Sequence, residues 1–260
     1  MGNSWAFSFL RKYIRRSGRV LVMAAFLIIT FVCSMYLMKP SFADRALYDN
    51  FSDVPYLLSW YQISPNGKWF SWGSGSEATP GIQGAAMTSS GGVYFQNNPP
   101  SIDPQETHSS LVLSTRSIKD FELNLQVNTI AQTRMFTAPN DWENAWILWH
   151  CTGNGTDNFD NKHFYYFLMK TGGVEYGKYD GGSQQILQYV PYSSLPGVSF
   201  ADNTWYNWDV TVQQDHMVIK VNGVTVIDSH DTASFDSGRI GLYSEDSQVQ
   251  FSQVYLTSLS

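Results

Sequence analysis

Between Asp141 and Asp180 the chain concentrates residue types suited to handling sugars. Trp142, Trp146, Trp149, Tyr165, Tyr166 and Tyr176 are interleaved there with Asp141, Glu143, His150, Asp157, Asp160, His163, Glu175 and Asp180. A sugar ring has apolar C–H faces and a polar hydroxyl rim, so flat aromatics beside carboxylates make a fitting lining. Trp142, Trp146, Trp149, His150, Tyr166 and Tyr176 are therefore the candidate carbohydrate-binding residues. Alternate aromatics also fill the cores of β-sandwiches, but both faces of Trp146–Trp149 and Phe164–Met169 are apolar or aromatic. Only one face of each sheet meets its partner sheet, so the other face is expected to line a groove.

The candidate catalytic pair is Glu143 and Glu175. Glycosidases place two carboxyls about 5 to 9.5 Å apart across the bond they cleave. Glu143 opens one strand, in Asp141-Trp142-Glu143, and Glu175 falls on a neighbouring one. A lyase would need a base and a proton donor instead, for which His150 with Tyr165 or Tyr166 is the candidate. Only Arg134, Lys162, Lys170 and Lys178 are near enough in sequence to neutralise an acidic sugar. His108, His163, His216 and His230 show no metal-ligand spacing. Cys151, directly after an apolar run, reads as a buried small hydrophobe.

The elements that must hold these residues are strands. Period-two alternation marks Ser110–Ser114, Phe121–Val127, Tyr206–Val212, Met217–Val221, Val224–Asp228 and Val249–Tyr255. Asn222-Gly223 supplies the two positive-φ positions of a type I′ turn, so Lys220–Val226 reads as a tight hairpin. Turn residues crowd Gly73–Gln105 and leave room for one strand, at Gly92–Gln96. Nothing after Met38 reads as a long helix, which predicts an all-β, two-sheet antiparallel sandwich over residues 44–260.

The series Trp205-Tyr206-x-Trp208, Val218-x-Lys220-Val221-Asn222-Gly223, Ser237-Gly238-Arg239-Ile240-Gly241-Leu242-Tyr243-Ser244-Glu245-Asp246 and Val249-x-Phe251 resembles the C-terminal half of concanavalin A-like lectin/glucanase domains. That resemblance implies a jelly roll and a carbohydrate partner: binding of an oligo- or polysaccharide, or glycoside hydrolysis or lysis, with a structural or adhesive surface role as a further alternative. The Glu-x-Asp-x-x-Glu or Glu-x-Asp-x-Glu strand of laminarinase-type enzymes is missing here. No cofactor is required by this reading. The resemblance also implies a structural Ca²⁺, for which Asp49 and Asn50, or Asp157 and Asp160, are the candidate ligands.

Residues 1–43 carry six basic and no acidic residues, and Val20–Met38 is an uncharged apolar run of 19 residues. Such a run is long enough to cross about 30 Å of hydrocarbon as a helix. The basic flank precedes it, so the domain after it is expected to be extracytoplasmic. Small residues at Ser41 and Ala43 fit cleavage after Ala43, giving a secreted or periplasmic domain; without cleavage the segment anchors it to the membrane. Of 16 basic and 22 acidic residues, 10 and 22 fall in residues 44–260, a net charge of −12. That sign excludes nucleic acid as a partner, because counterion release needs clustered Lys and Arg.

Overall fold

The computed structural model describes residues 45–52, 57–58, 61–72, 85–89, 92–103, 107–152, 162–233 and 235–259. The apolar segment Val20–Met38 lies outside them, and no helix among the described residues is long and apolar enough to cross a membrane. Two antiparallel sheets form the sandwich that the alternation predicts.

The nine-stranded sheet contains β1 (Arg45–Asp49), β2 (Leu57–Leu58), β4 (Ala85–Ser89), β5 (Val93–Asn97), β7 (Phe121–Gln132), β12 (Thr204–Gln213), β13 (His216–Val221), β14 (Val224–His230) and β16 (Ser247–Ser258). Its order is β14-β13-β12-β7-β16-β5-β4-β2, with β1 also on β16. The seven-stranded sheet contains β3 (Trp69–Trp72), β6 (Ser109–Ile118), β8 (Ala145–Cys151), β9 (His163–Met169), β10 (Gly173–Asp180), β11 (Ser183–Pro191) and β15 (Gly238–Glu245). Its order is β11-β10-β9-β8-β15-β6-β3.

Register turns the sequence pattern into a core. Tyr206, Trp208, Val210 and Val212 of β12 stand opposite Val127, Leu125, Leu123 and Phe121 of β7, and all eight are buried. Rows of apolar side chains thus face the second sheet, where Ile147, Trp149, Tyr165, Phe167 and Tyr176 meet them. The expected hairpin is present, with Asn222 and Gly223 at φ 50° and 80°. In β16 the alternation changes phase: Val249 and Phe251 point inward, then Val254 and Leu256, because the strand bulges beside Gln253 at φ 52°.

Two strands depart from the sequence reading. Ala85–Ser89 forms a second strand within the turn-rich segment, paired along its whole length with β5. Ser183–Pro191, whose residues are almost all exposed, forms edge strand β11 on β10. Strand β11 has no inward apolar row for alternation to reveal and is held by its ladder to β10.

The candidate site on the outward face of the seven-stranded sheet

The central strands of the seven-stranded sheet are buried on both faces. One set of side chains enters the sandwich. The other, Leu111, Leu113, Trp146, Leu148, Phe164, Tyr166, Leu168 and Tyr243, packs into a separate cluster on the outward side, with Tyr179 against it. A cavity of about 100 Å³ opens within that cluster, lined by Trp146, Leu148, Phe164, Tyr166, Tyr179, Gln184, Tyr243 and Glu245. A larger, more open hollow of about 430 Å³ at Lys119, Gln214, Asp215, Thr232, Phe235 and Asp236 offers mixed charges and a single ring, and lacks an aromatic floor.

Strand geometry explains how these residues meet. Tyr243 pairs with Trp146 across β15 and β8, Trp146 with Leu168 across β8 and β9, and Leu168 with Glu175 across β9 and β10. The Trp146 ring lies 5.1 Å from that of Tyr166 and 5.6 Å, edge-on, from that of Tyr243. Glycine makes room for the phenol of Tyr166: a Cβ at Gly177 would stand 2.3 Å from its hydroxyl oxygen. That hydroxyl accepts from Gln184 Nε2 at 2.9 Å and donates to Glu175 Oε1 at 3.1 Å. Lys170 Nζ pairs with the other oxygen, Glu175 Oε2.

At the opposite end Tyr243 donates to Glu245 Oε1 at 2.6 Å. Loss of water around Glu245 pushes its carboxyl up to about 7, helped by the charges of Asp246 and Glu143 and opposed by the Tyr243 hydrogen bond and Arg134. Behind it lies a buried polar plug. Arg134 Nε donates to Glu143 Oε1 at 2.5 Å and Nη2 to Asp246 Oδ2 at 2.9 Å, while Asn140 also donates to Glu143 at 2.7 Å.

This arrangement separates the residues singled out from the sequence. Trp146 and Tyr166 line the cavity. Trp142 stands beside it, 41 % exposed, its carbonyl accepting from Trp146 Nε1 at 2.9 Å. Trp149 and Tyr176 face the sandwich core instead, stacked 5.8 Å apart with planes 4° from parallel. The reason is period two: Trp146 and Trp149 are three apart on one strand and so point to opposite faces. His150 is corrected as well. Its φ of 53° bulges β8, so its ring lies outside the cavity, where it bonds Lys119 O at 2.8 Å and meets the ring of Tyr165, the other expected partner, edge-on at 6.0 Å. Burial lowers its pKa, leaving it neutral, and Gly238 is required beside it, since a Cβ there would be 2.3 Å from the His150 backbone.

Glu143 and Glu175 do not form the expected pair. Glu143 is wholly buried in the plug, whereas Glu175 is tied to Lys170 and Tyr166 on the outward face. Asp49 does not fit a calcium ligand. Its Oδ2 accepts from Trp69 Nε1 at 2.8 Å and Asn66 Nδ2 at 3.2 Å, and its Oδ1 from the Phe51 amide at 3.0 Å, with Lys68 Nζ 3.3 Å away. Donors and a cation fill the positions a metal would need. Asn50 Oδ1 is likewise taken by Ser52, at 2.7 Å from its hydroxyl. Asp157 and Asp160 lie outside the described residues, among which no group of three or more His, Cys, Asp or Glu gathers as a metal site.

Tyr243, Glu245 and Gln184 join the site without being candidates in the sequence, and Lys170, a candidate only as a cation for an acidic sugar, is paired with Glu175. Part of the signal was present: Gly241, Tyr243 and Glu245 alternate along the Ser237–Asp246 motif, while Ile240 and Leu242 take the core face.

The sequence model of a family described as 3-keto-alpha-glucoside-1,2-lyase-like domain matches residues 65–257. The chain belongs to this family. No curated protein shows significant sequence similarity to this family member. Among solved structures it is similar to the carbohydrate-binding module CBM66 from Bacillus subtilis, with a TM-score of 0.52 at 17% identity over 74% of this chain and 96% of that one. A Bacillus licheniformis beta-glucanase matches with a TM-score of 0.55 at 11% identity, over 82% and 98% of the two chains. SCLam, a non-specific endo-beta-1,3(4)-glucanase from family GH16, matches with a TM-score of 0.51 at 10% identity, over 82% and 90%. At these identities the likeness is one of fold alone: a two-sheet antiparallel β-sandwich.

Proposed function

We propose that this domain seats one end of a glycoside in the outward aromatic cavity and that Glu245, with Tyr243, moves the proton of an elimination across C1 and C2 of a 3-keto sugar. The observation that carries this reading is a carboxyl held near neutrality inside an aromatic cavity, with a phenol already hydrogen-bonded to it. A base working near neutral pH is most effective with a pKa close to that pH. The ketone at C3 acidifies the proton on C2. Glu245 takes that proton, the C2 electron pair forms the C1–C2 double bond, and the C1–O bond breaks. The departing oxygen takes the Tyr243 hydroxyl proton and leaves as an alcohol, and the C2 proton now on Glu245 passes along their hydrogen bond to restore the phenol.

The sheet order argues against a two-carboxylate hydrolase. Glu175 and Glu245 lie on β10 and β15, three strand spacings apart, or about 14 Å at about 4.8 Å each. That exceeds the carboxyl separations of either glycosidase class. Glu175 already has its counter-ion besides.

The test is to incubate the purified full-length chain with a 3-keto-α-glucoside and follow the ultraviolet absorbance of the enone. Turnover that Glu245→Gln lowers at least 100-fold, with binding retained, is the expected result. Binding with no turnover in either protein would replace this reading with a lectin-like one. Sugar affinity absent altogether would leave a structural or adhesive role.

A further inference from the structure

The cavity is small for what it is proposed to hold. About 100 Å³ is well below the roughly 300–1,000 Å³ of sites that enclose a whole ligand. A saccharide can place only one end there, and the remainder must lie on the adjoining surface.

Glu175 leads to that surface. One of its oxygens is bonded to Tyr166, inside the cavity, and the other to Lys170, outside it. The Lys170 ammonium sits 5.9 Å from the centre of the Trp142 ring, which is 41 % exposed. On the neighbouring strand Tyr189 stands directly opposite Glu175 and is 47 % exposed. Its ring lies across two glycines. A Cβ at Gly173 would be 2.9 Å from Tyr189 Cζ, and one at Gly172 would be 2.9 Å from its hydroxyl. Glycine at both positions lets the ring rest on the backbone with its other side toward solvent.

Resting on the proposed role of the cavity, we infer that Trp142 and Tyr189, on either side of the Lys170–Glu175 pair, form a second saccharide subsite that stacks the sugar next to the one in the cavity. Its ligand is a neutral oligosaccharide. The Lys170 charge is matched by Glu175, so the subsite offers ring faces and hydrogen bonds and no net cation for a uronate.

The experiment compares methyl α-glucoside with an α-linked glucotetraose on the full-length chain, using isothermal titration on wild type, Trp142→Ala and Tyr189→Ala. Thermal melts of the variants serve as folding controls. The tetraose is expected to bind at least tenfold more tightly than the monosaccharide, and each variant to lose about tenfold for the tetraose while leaving the monosaccharide unchanged. Equal affinity for the two sugars, unaltered in both variants, would overturn the subsite and leave the cavity standing. Weakening of both sugars alike would assign Trp142 and Tyr189 to the cavity itself and so also overturn a separate subsite. Absence of binding by either sugar would overturn the subsite, while the cavity reading is decided separately by the enone assay on a 3-keto-α-glucoside.

Discussion

Tyr243 donates a 2.6 Å hydrogen bond to Glu245, the residue two positions along the same face of β15. Two opposing influences meet there. Desolvation disfavours the carboxylate, and the phenol favours it. The enzymatic reading therefore predicts a rate that rises as pH passes through about 7. In Tyr243→Phe the proton donor is lost, so the rate falls, and with the stabilising hydrogen bond to Glu245 gone the rise that remains moves to higher pH. A pH–rate profile of both proteins checks the direction of the shift.

The same carboxyl affects stability with a definite sign. Its folded value of about 7 lies above the ordinary 4.5, so between these values the folded state holds more protons than the unfolded one. Stability contributed by this group is present in full below about 4.5 and falls as pH rises through about 7. Glu245→Gln removes the charge that must be buried, and is expected to raise stability at pH 8 by on the order of 1–2 kcal/mol, allowing for partial solvent screening. Denaturant melts at pH 5 and pH 8 measure it, with little gain at the lower pH.

Arg134 is the cation of the buried plug, bonded to both Glu143 and Asp246. Replacing it with methionine leaves two carboxylates away from water without their partner. A loss of about 3–5 kcal/mol is expected, read as a large drop in Tm.

Trp146 and Trp149 separate site from core. Trp149 is stacked against both Tyr165 and Tyr176 with no exposure, so Trp149→Ala should cost about 3–5 kcal/mol. Trp146→Phe keeps a ring on the outward face, and is expected to fold while losing sugar affinity. Thermal melts and titrations on both variants distinguish the two effects.

Gly177→Ala tests the seating of Tyr166. The added methyl would meet the Tyr166 hydroxyl at 2.3 Å and the Gln185 carbonyl at 2.4 Å, so the phenol or edge strand β11 must move. A stability loss of about 1–3 kcal/mol is expected, with weakened sugar binding, by melts and titration.

The sandwich was legible in the sequence because residues such as Phe121, Leu123, Leu125 and Val127 repeat every second position and Asn222-Gly223 marks a hairpin. The aromatic site was legible only as a region. Where both faces of a strand are apolar, alternation cannot say which face is the core, and so Trp149 and Tyr176 read like Trp146 and Tyr166. His150 adds a second difficulty, since a bulge reverses facing without altering composition. Glu245 went unread because its chemistry depends on burial and on Arg134 and Glu143, brought from the β7–β8 connection about a hundred residues away in the chain.

Edge strand β11 carries a cost of its own. Ser183–Pro191 has no charged residue, and Ile186, Leu187 and Tyr189 are exposed along it. Edge strands usually resist pairing with another molecule by placing a charge or a twist in the way. Here that protection falls to the overall charge of −12 on residues 44–260, a long-range repulsion that salt screens. Self-association through this edge is therefore expected to grow as salt is raised, and a saccharide that covers Tyr189 is expected to reduce it.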